Sequence, residues 1–209
     1  MKLSERNAEM KAFFDEKADG YDAVHLPMMA NKAAITEALP ADTARVLDLG
    51  GGTGLELIPF FARFPEACVT VIDLSEPMMA QIADRTFADR VTCIAGDFFA
   101  VDYGCGYDAV ISSAALHHFT PEHKAMLYQK ILDALNPGGL FVNSDRFAND
   151  EAEQEACFAM LTDPTVTMRH IDTPLTPACE CGLLQAVGFS SAEVTPLEDP
   201  RYQLLVAVK

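Results

Sequence analysis

The stretch Arg45-Val46-Leu47-Asp48-Leu49-Gly50-Gly51-Gly52-Thr53-Gly54 runs from an apolar strand into a glycine bend, and helix-forming residues follow from Leu55 to Phe64. A tight strand-to-helix turn needs residues that reach positive φ without a Cβ clash, and bare backbone against which a ligand can pack. The alternate glycines 50, 52 and 54 supply both. Their spacing excludes two nucleotide readings. In a G-x-G-x-x-G fingerprint the third glycine would fall at Leu55 counted from Gly50, or at Leu57 counted from Gly52. A Walker A loop ends in Gly-Lys-Ser/Thr, whereas Leu55 and Glu56 follow Gly54, and a glutamate there repels a triphosphate.

Outward from the bend, short apolar runs alternate with helical stretches. Strands are expected near 45–48, 68–73, 91–95, 107–112 and 140–145, with helices near 54–64, 76–86 and 121–135. Such βα alternation implies a parallel sheet covered on both faces. Ser75 and Thr120 each precede a proline-containing first turn and read as N-caps, and Asn136-Pro137-Gly138-Gly139 reads as a turn. Thr176-Pro177 starts a helix that Gly188 ends. The runs 189–195 and 202–208 are joined by a loop too short for a crossover helix, so they should pair as a hairpin. The fold class is therefore α/β: a doubly wound, mostly parallel, seven-stranded sheet with helices on both faces and an antiparallel last strand. No linker or repeat divides the chain, so residues 1–209 read as a single domain.

Two segments stand outside the alternation. A helix from Ser4 to about Ala18, with Gly20 past its end, and a second one opened by Pro27 and stopped by Pro40 make residues 1–40 a helical lid over the first strand's ligand-binding edge. Residues 146–176 form an excursion that the alternation does not require, and with the lid they are expected to build an acceptor pocket. Arg146 and Arg169 there are candidates to clamp a carboxylate, against the commoner reading of solvated surface arginines. The phenylalanines of the first helix look exposed and permit either a monomer or a homodimer.

The net charge of −16 makes nucleic acid and anionic membrane surfaces poor partners. The charged N-terminus and the lack of an apolar run of about 18 residues point to a cytoplasmic protein without a membrane span. The six cysteines show no secreted-type framework and read as reduced thiols. Cys179 and Cys181 alone make no tetrahedral set, so no metal is expected.

Read as D-x-G-x-G-x-G, Asp48, Gly50, Gly52 and Gly54, followed by an acid at the end of the next strand, resemble the first motif of the class I S-adenosylmethionine (SAM) dependent methyltransferases. Asp73 lies 19 residues beyond Gly54, the separation at which a carboxylate can accept from both ribose hydroxyls, although it can also cap the helix beside Ser75. Ala95-Gly96-Asp97-Phe98 resembles the adenine-side motif: Asp97 would accept from the adenine amino group and the Phe98 amide would donate to the ring. Leu74 and Met78 follow Asp73, and a methionine there suits packing on adenine or ribose. The run from Tyr107 to Phe119 resembles the fourth motif, with Ser112 or Ser113 at the methionine end of the cofactor and His117 facing the cleft; His118 is expected to be structural or exposed. By the same resemblance Asp48 reaches the cofactor ammonium and Tyr21 approaches its carboxylate.

The resemblance implies SAM as cofactor, S-adenosylhomocysteine as product, and a small-molecule methyl acceptor. Should the acceptor carry a proton, His117 and Asp145 are the candidates to remove it. Two other readings use the same motifs: transfer of another group from a SAM derivative, and a SAM-binding regulatory or partner protein without turnover.

Overall fold

A computed structural model describes residues 3–163, 165–166 and 170–209. Arg169 lies outside the described residues. Seven strands form one sheet: β1 (Arg45–Leu49), β2 (Cys68–Asp73), β3 (Val91–Ala95), β4 (Tyr107–Ser113), β5 (Leu135–Asp145), β6 (Ser191–Pro196) and β7 (Gln203–Val208). Their order is β3-β2-β1-β4-β5-β7-β6. The first five are parallel, and β7 runs antiparallel between β5 and β6. From β1 the chain winds outward through β2 and β3, then returns to start again at β4, so the switch point lies beyond the carboxyl ends of β1 and β4.

The helices are α1 (Leu3–Lys17), α2 (Tyr21–His25), α3 (Met29–Ala38), α4 (Leu57–Arg63), α5 (Glu76–Ala80), α6 (Pro121–Ala134), α7 (Glu151–Ala159) and α8 (Pro177–Val187). Strand side chains alternate between faces, and the core divides accordingly. Leu47, Leu49, Val110 and Phe141 pack with Leu127 and Ile131 of α6 and Leu184 of α8. Val46, Val71, Ile111 and Val142 pack with Ile35 of α3 and Phe60 of α4. With apolar layers on both sides, β1 and β4 are buried along nearly their whole length.

Several local expectations change. The helix after the bend starts at Leu57, because Gly54 stands at φ 74° and its N–H donates to the Gly51 carbonyl at 2.7 Å. The stretch 76–86 is helical only to Ala80 and continues as a 3-10 turn over 81–84. Residues 136–139 lie inside β5 as an irregularity: Leu135 pairs with Tyr107 before Leu140 pairs with Ala109. Ser75 does accept from the Met78 N–H at 3.3 Å, but the Thr120 hydroxyl pairs with His123 Nδ1 at 2.9 Å instead of capping α6. After Pro27 the chain makes a 3-10 turn before α3 begins at Met29.

The lid is pinned by polar contacts, which is why α1 has no clean apolar face. Arg6 donates to the His118 carbonyl at 2.5 Å, Asn7 to Asp97 at 2.9 Å, and Ser75 to Asp15 at 2.7 Å. The α1 phenylalanines turn inward: Phe13 stacks on His170 at 4.6 Å and Phe14 faces the cleft. The segment after β5 is tied back by Ala148 N–H to the Leu175 carbonyl and by Thr173 N–H to the His117 carbonyl at 2.6 Å. Arg146 is half-exposed but engaged, 2.6 Å from Asp172 and 3.0 Å from Glu153. Among the described residues no helix is long and apolar enough to cross a membrane.

α6 and α8 are joined through a buried charge pair: Lys124 lies 2.8 Å from Glu180, which also accepts from the Tyr128 hydroxyl. Removing one partner leaves the other charge buried and uncompensated, which costs about 3–5 kcal/mol, whereas an apolar pair of similar volume is tolerated. Glu180→Ala should lower the unfolding free energy by that amount in denaturant titrations, and Lys124→Met with Glu180→Leu should recover most of it. A loss below about 1 kcal/mol in the single variant would contradict this.

Candidate functional site

A cavity opens at the switch point, between the strand ends and the lid. Its floor is the glycine bend. Gly50 and Gly52 have φ of 79° and 49°, and a Cβ on Gly50 would stand 2.5 Å from the Ala115 Cβ. Behind the bend, Asp73 holds it in place: one carboxylate oxygen accepts from Gly52 N–H at 2.9 Å and the other from Ser75 N–H at 2.8 Å. Burial raises the Asp73 carboxyl above its ordinary range, and the two amide donors work against that rise.

Of the residues singled out in the sequence, Tyr21, Gly50, Gly52, Asp73, Leu74, Met78, Phe98 and Ser113 line the cavity. Burial, reinforced by nearby carboxylates, pushes the Tyr21 phenol upward, so it is a neutral hydrogen-bond donor. Six others stand behind the wall. Gly54 closes the turn. Asp48 is fully buried beneath Gly51. The Asp97 carboxylate is occupied by Asn7 and the Phe99 N–H, and the Ser112 hydroxyl donates to the Leu49 carbonyl at 2.8 Å, stitching β4 to β1. His117 and Asp145 face each other: His117 Nδ1 is 2.5 Å from Asp145 Oδ1. Asp145 also accepts from the amides of Leu116, His117 and Arg146 and from Asn143. Burial alone would raise its carboxyl, but His117 and these donors hold it below the usual carboxylate range. Asp145 is thus a saturated anion that orients His117, without the free lone pair and raised pKa of a base.

It is His118 that lines the cavity, buried rather than exposed. Burial lowers its pKa to about 3, so the ring is neutral at pH 7. The other large omission is the pair Lys32 and Glu56. Lys32 reaches from α3 to Glu56 at 2.9 Å and to the Ser113 hydroxyl at 3.1 Å, and both charged groups border the cavity. The Glu56 Oε1 and both Asp48 oxygens are buried without hydrogen-bond partners. Burial and the neighbouring Glu56 push the Asp48 carboxyl well up, which favours its protonated form beside the Lys32–Glu56 pair. Ala114, at φ 54°, is the one non-glycine residue in the left-handed region among the described residues, and it too lines the cavity.

Comparisons with known proteins agree with this geometry. Residues 46–139 match the model of a methyltransferase domain. The chain is 33% identical over 112 residues to 3-hydroxy-5-methyl-1-naphthoate 3-O-methyltransferase of Streptomyces sahachiroi, covering 51% of this chain and 32% of that protein. It is 26% identical over 174 residues to an uncharacterised methyltransferase of Mycobacterium bovis, covering 83% and 78%. The chain spans only 32% and 35% of the length of the first two curated relatives. In structure, it resembles a Nostoc punctiforme protein assigned to the O-methyltransferases, with TM-score 0.74 and 26% identity over 94% of this chain and 60% of that one. DhpI in complex with S-adenosylhomocysteine has the same fold, with TM-score 0.76 and 22% identity over 99% and 98%. The matched segment is similar to a methyltransferase domain, and the fold around the glycine bend is similar to that of solved SAM-dependent methyltransferases.

The crowding at Gly50 is directly testable. Gly50→Ala combines left-handed strain with a collision against Ala115 and should destabilise by about 2–5 kcal/mol. Gly104 has φ 66° with open space around it, so Gly104→Ala should cost only about 1–2 kcal/mol. Equal losses in chemical denaturation would mean that the bend is not crowded.

Proposed function

We propose that this chain transfers a methyl group from SAM to an oxygen of a small-molecule acceptor. The observation that carries the reading is the cavity's pairing of bare glycine backbone with a buried, oppositely charged corner. An amino acid end bearing both ammonium and carboxylate matches that corner: Glu56, backed by Asp48, offers unfilled acceptors to the ammonium, while Lys32, Tyr21 and the exposed peptide of the bend face the carboxylate. Asp73, whose oxygens each retain a lone pair beyond their backbone bonds, accepts from ribose hydroxyls. Met78, Leu74 and Phe98 supply the apolar slot for adenine, with Asp97 behind it.

When bound, SAM would supply an electrophilic methyl on its sulfonium; an acceptor oxygen that has already lost its proton to solvent would take the methyl as the S–C bond breaks and S-adenosylhomocysteine leaves. The protein's task is then alignment and exclusion of water, which contribute on the order of 7–11 kcal/mol. Met10, Phe14 and Phe119 form apolar walls toward the lid. The acceptor enters from the His118 side, between the lid and the stretch 170–176, and His117, oriented by Asp145, forms the polar backing of that side. The oxygen acceptor is favoured by the named activity of the Streptomyces sahachiroi relative, which is an O-methyltransferase.

Calorimetry with S-adenosylhomocysteine should show one site per chain. Asp73→Ala, which removes charged hydrogen bonds worth about 2–3 kcal/mol, should weaken binding about 30–150-fold. Incubation with SAM and a panel of small hydroxylated acids should give a product one methyl heavier and stoichiometric S-adenosylhomocysteine. Absence of affinity for both cofactor forms in folded protein would overturn the proposal; tight binding with no methylated product from any acceptor of the panel would leave a sensor in its place.

A further inference from the structure

At the acceptor side of the cavity, three imidazoles and a carboxylate converge from two distant stretches of chain. His117, His118, His170 and Asp172 each offer one ligand atom, and these atoms all lie within 4.8 Å of one another. Asp172 Oδ1 is 3.5 Å from His117 Nε2, 3.4 Å from His118 Nδ1 and 3.8 Å from His170 Nδ1. These separations are too long for good hydrogen bonds. They are near the ~3.3–3.4 Å edge of a tetrahedron whose centre lies about 2.0–2.1 Å from nitrogen and oxygen ligands.

Two of the groups are also unsatisfied. His118 Nδ1 and Asp172 Oδ1 are buried without a hydrogen-bond partner, and His118 is only 2% exposed. Orphaned groups of this kind each cost about 1–3 kcal/mol unless something fills the space between them. His118 Nε2 also stands 3.1 Å from His170 Nε2, an N–H···N hydrogen bond in which one ring donates and the other accepts.

The surroundings are arranged to present these atoms. Asp145 engages His117 at Nδ1, which leaves the Nε2 lone pair facing Asp172. A carboxylate behind a histidine in this way fixes the tautomer and raises the ring's strength as a ligand. Arg146 takes Asp172 Oδ2 at 2.6 Å and leaves Oδ1 directed at the imidazoles, while Phe13 stacks on His170. Imidazole and carboxylate donors in a four-ligand set suit zinc and its neighbours among the divalent first-row metals.

We propose that His117, His118, His170 and Asp172 bind one divalent transition-metal ion, zinc or a close analogue. With four protein donors the shell is closed. The ion clamps the stretch 170–172 onto the loop after β4 and so shapes the wall that His118 presents to the acceptor.

Metal binding is measured on the whole chain without SAM, so its failure would leave the methyltransferase reading untouched. After dialysis against a chelator, titration with Zn²⁺ should show one ion per chain, and Co²⁺ should give the visible absorption bands of a tetrahedral site. His170→Ala and Asp172→Asn should each weaken Zn²⁺ binding by at least about tenfold, and Asp145→Asn, acting through His117, by about 10–100-fold. Far-UV circular dichroism verifies that each variant is folded, and Zn²⁺ should raise the melting temperature of the wild type but not of Asp172→Asn. No stoichiometric binding of either metal by the folded wild type would overturn the site. So would binding that survives both ligand substitutions and disappears on replacing Cys179 and Cys181.

Discussion

Gly50 leaves β1 at a point where a side chain would collide with Ala115, so the two central strands can bring their ends together only because one of them is bare there. The rest of the site follows from that approach. Strand order puts β1 and β4 side by side at the switch point, and the positive φ of Gly50 and Gly52 turns the chain so that peptide groups, rather than side chains, form the floor. Asp73 crosses from β2 to hold that floor by one amide and the start of α5 by another. A single carboxylate thereby couples the ligand-facing loop to the next helix, and its burial is offset only in part by the same two donors.

The lid closes the site with charge as well as with apolar surface. Lys32 descends from α3 onto Glu56, immediately behind the bend, so the corner keeps one cation among buried carboxyls. On the opposite side Arg6 and Asn7 of α1 reach the His118 carbonyl and Asp97. Both ends of the cavity are therefore bordered by residues from the first 40 positions. Ligand binding and lid position are expected to be linked, since each polar tether joins the lid to a cavity-bordering loop.

Local rules made much of this legible. Alternating apolar runs mark the strands, with β5 starting five residues earlier than its apolar run, the short loop before β7 requires a hairpin, and the glycine spacing marks the end of β1 that borders the cavity. What escaped depended on contacts between distant residues. In sequence Glu56 signals only repulsion of a triphosphate, because nothing local reveals that Lys32, 24 residues earlier, faces it. His117 and His118 are neighbours, and which of them meets the cavity is set by a 3-10 turn and by Asp145, not by their order in the motif. The metal-type cluster combines His118 with His170 across 52 positions, a spacing that no short motif encodes. Residues 136–139 carry a turn signal because Pro and Gly usually punctuate, yet the structure absorbs them as an irregularity in β5.

Hydrogen–deuterium exchange with and without S-adenosylhomocysteine tests the central claim most directly, because it reports where the ligand sits without relying on turnover. The account predicts slower exchange at the amides of residues 50–54 and 73–75 and along α1 and α3, with β6 and β7 unchanged. Protection confined to another surface, such as the groove between α5 and β3, or no protection at the glycine bend under saturating ligand, would contradict it.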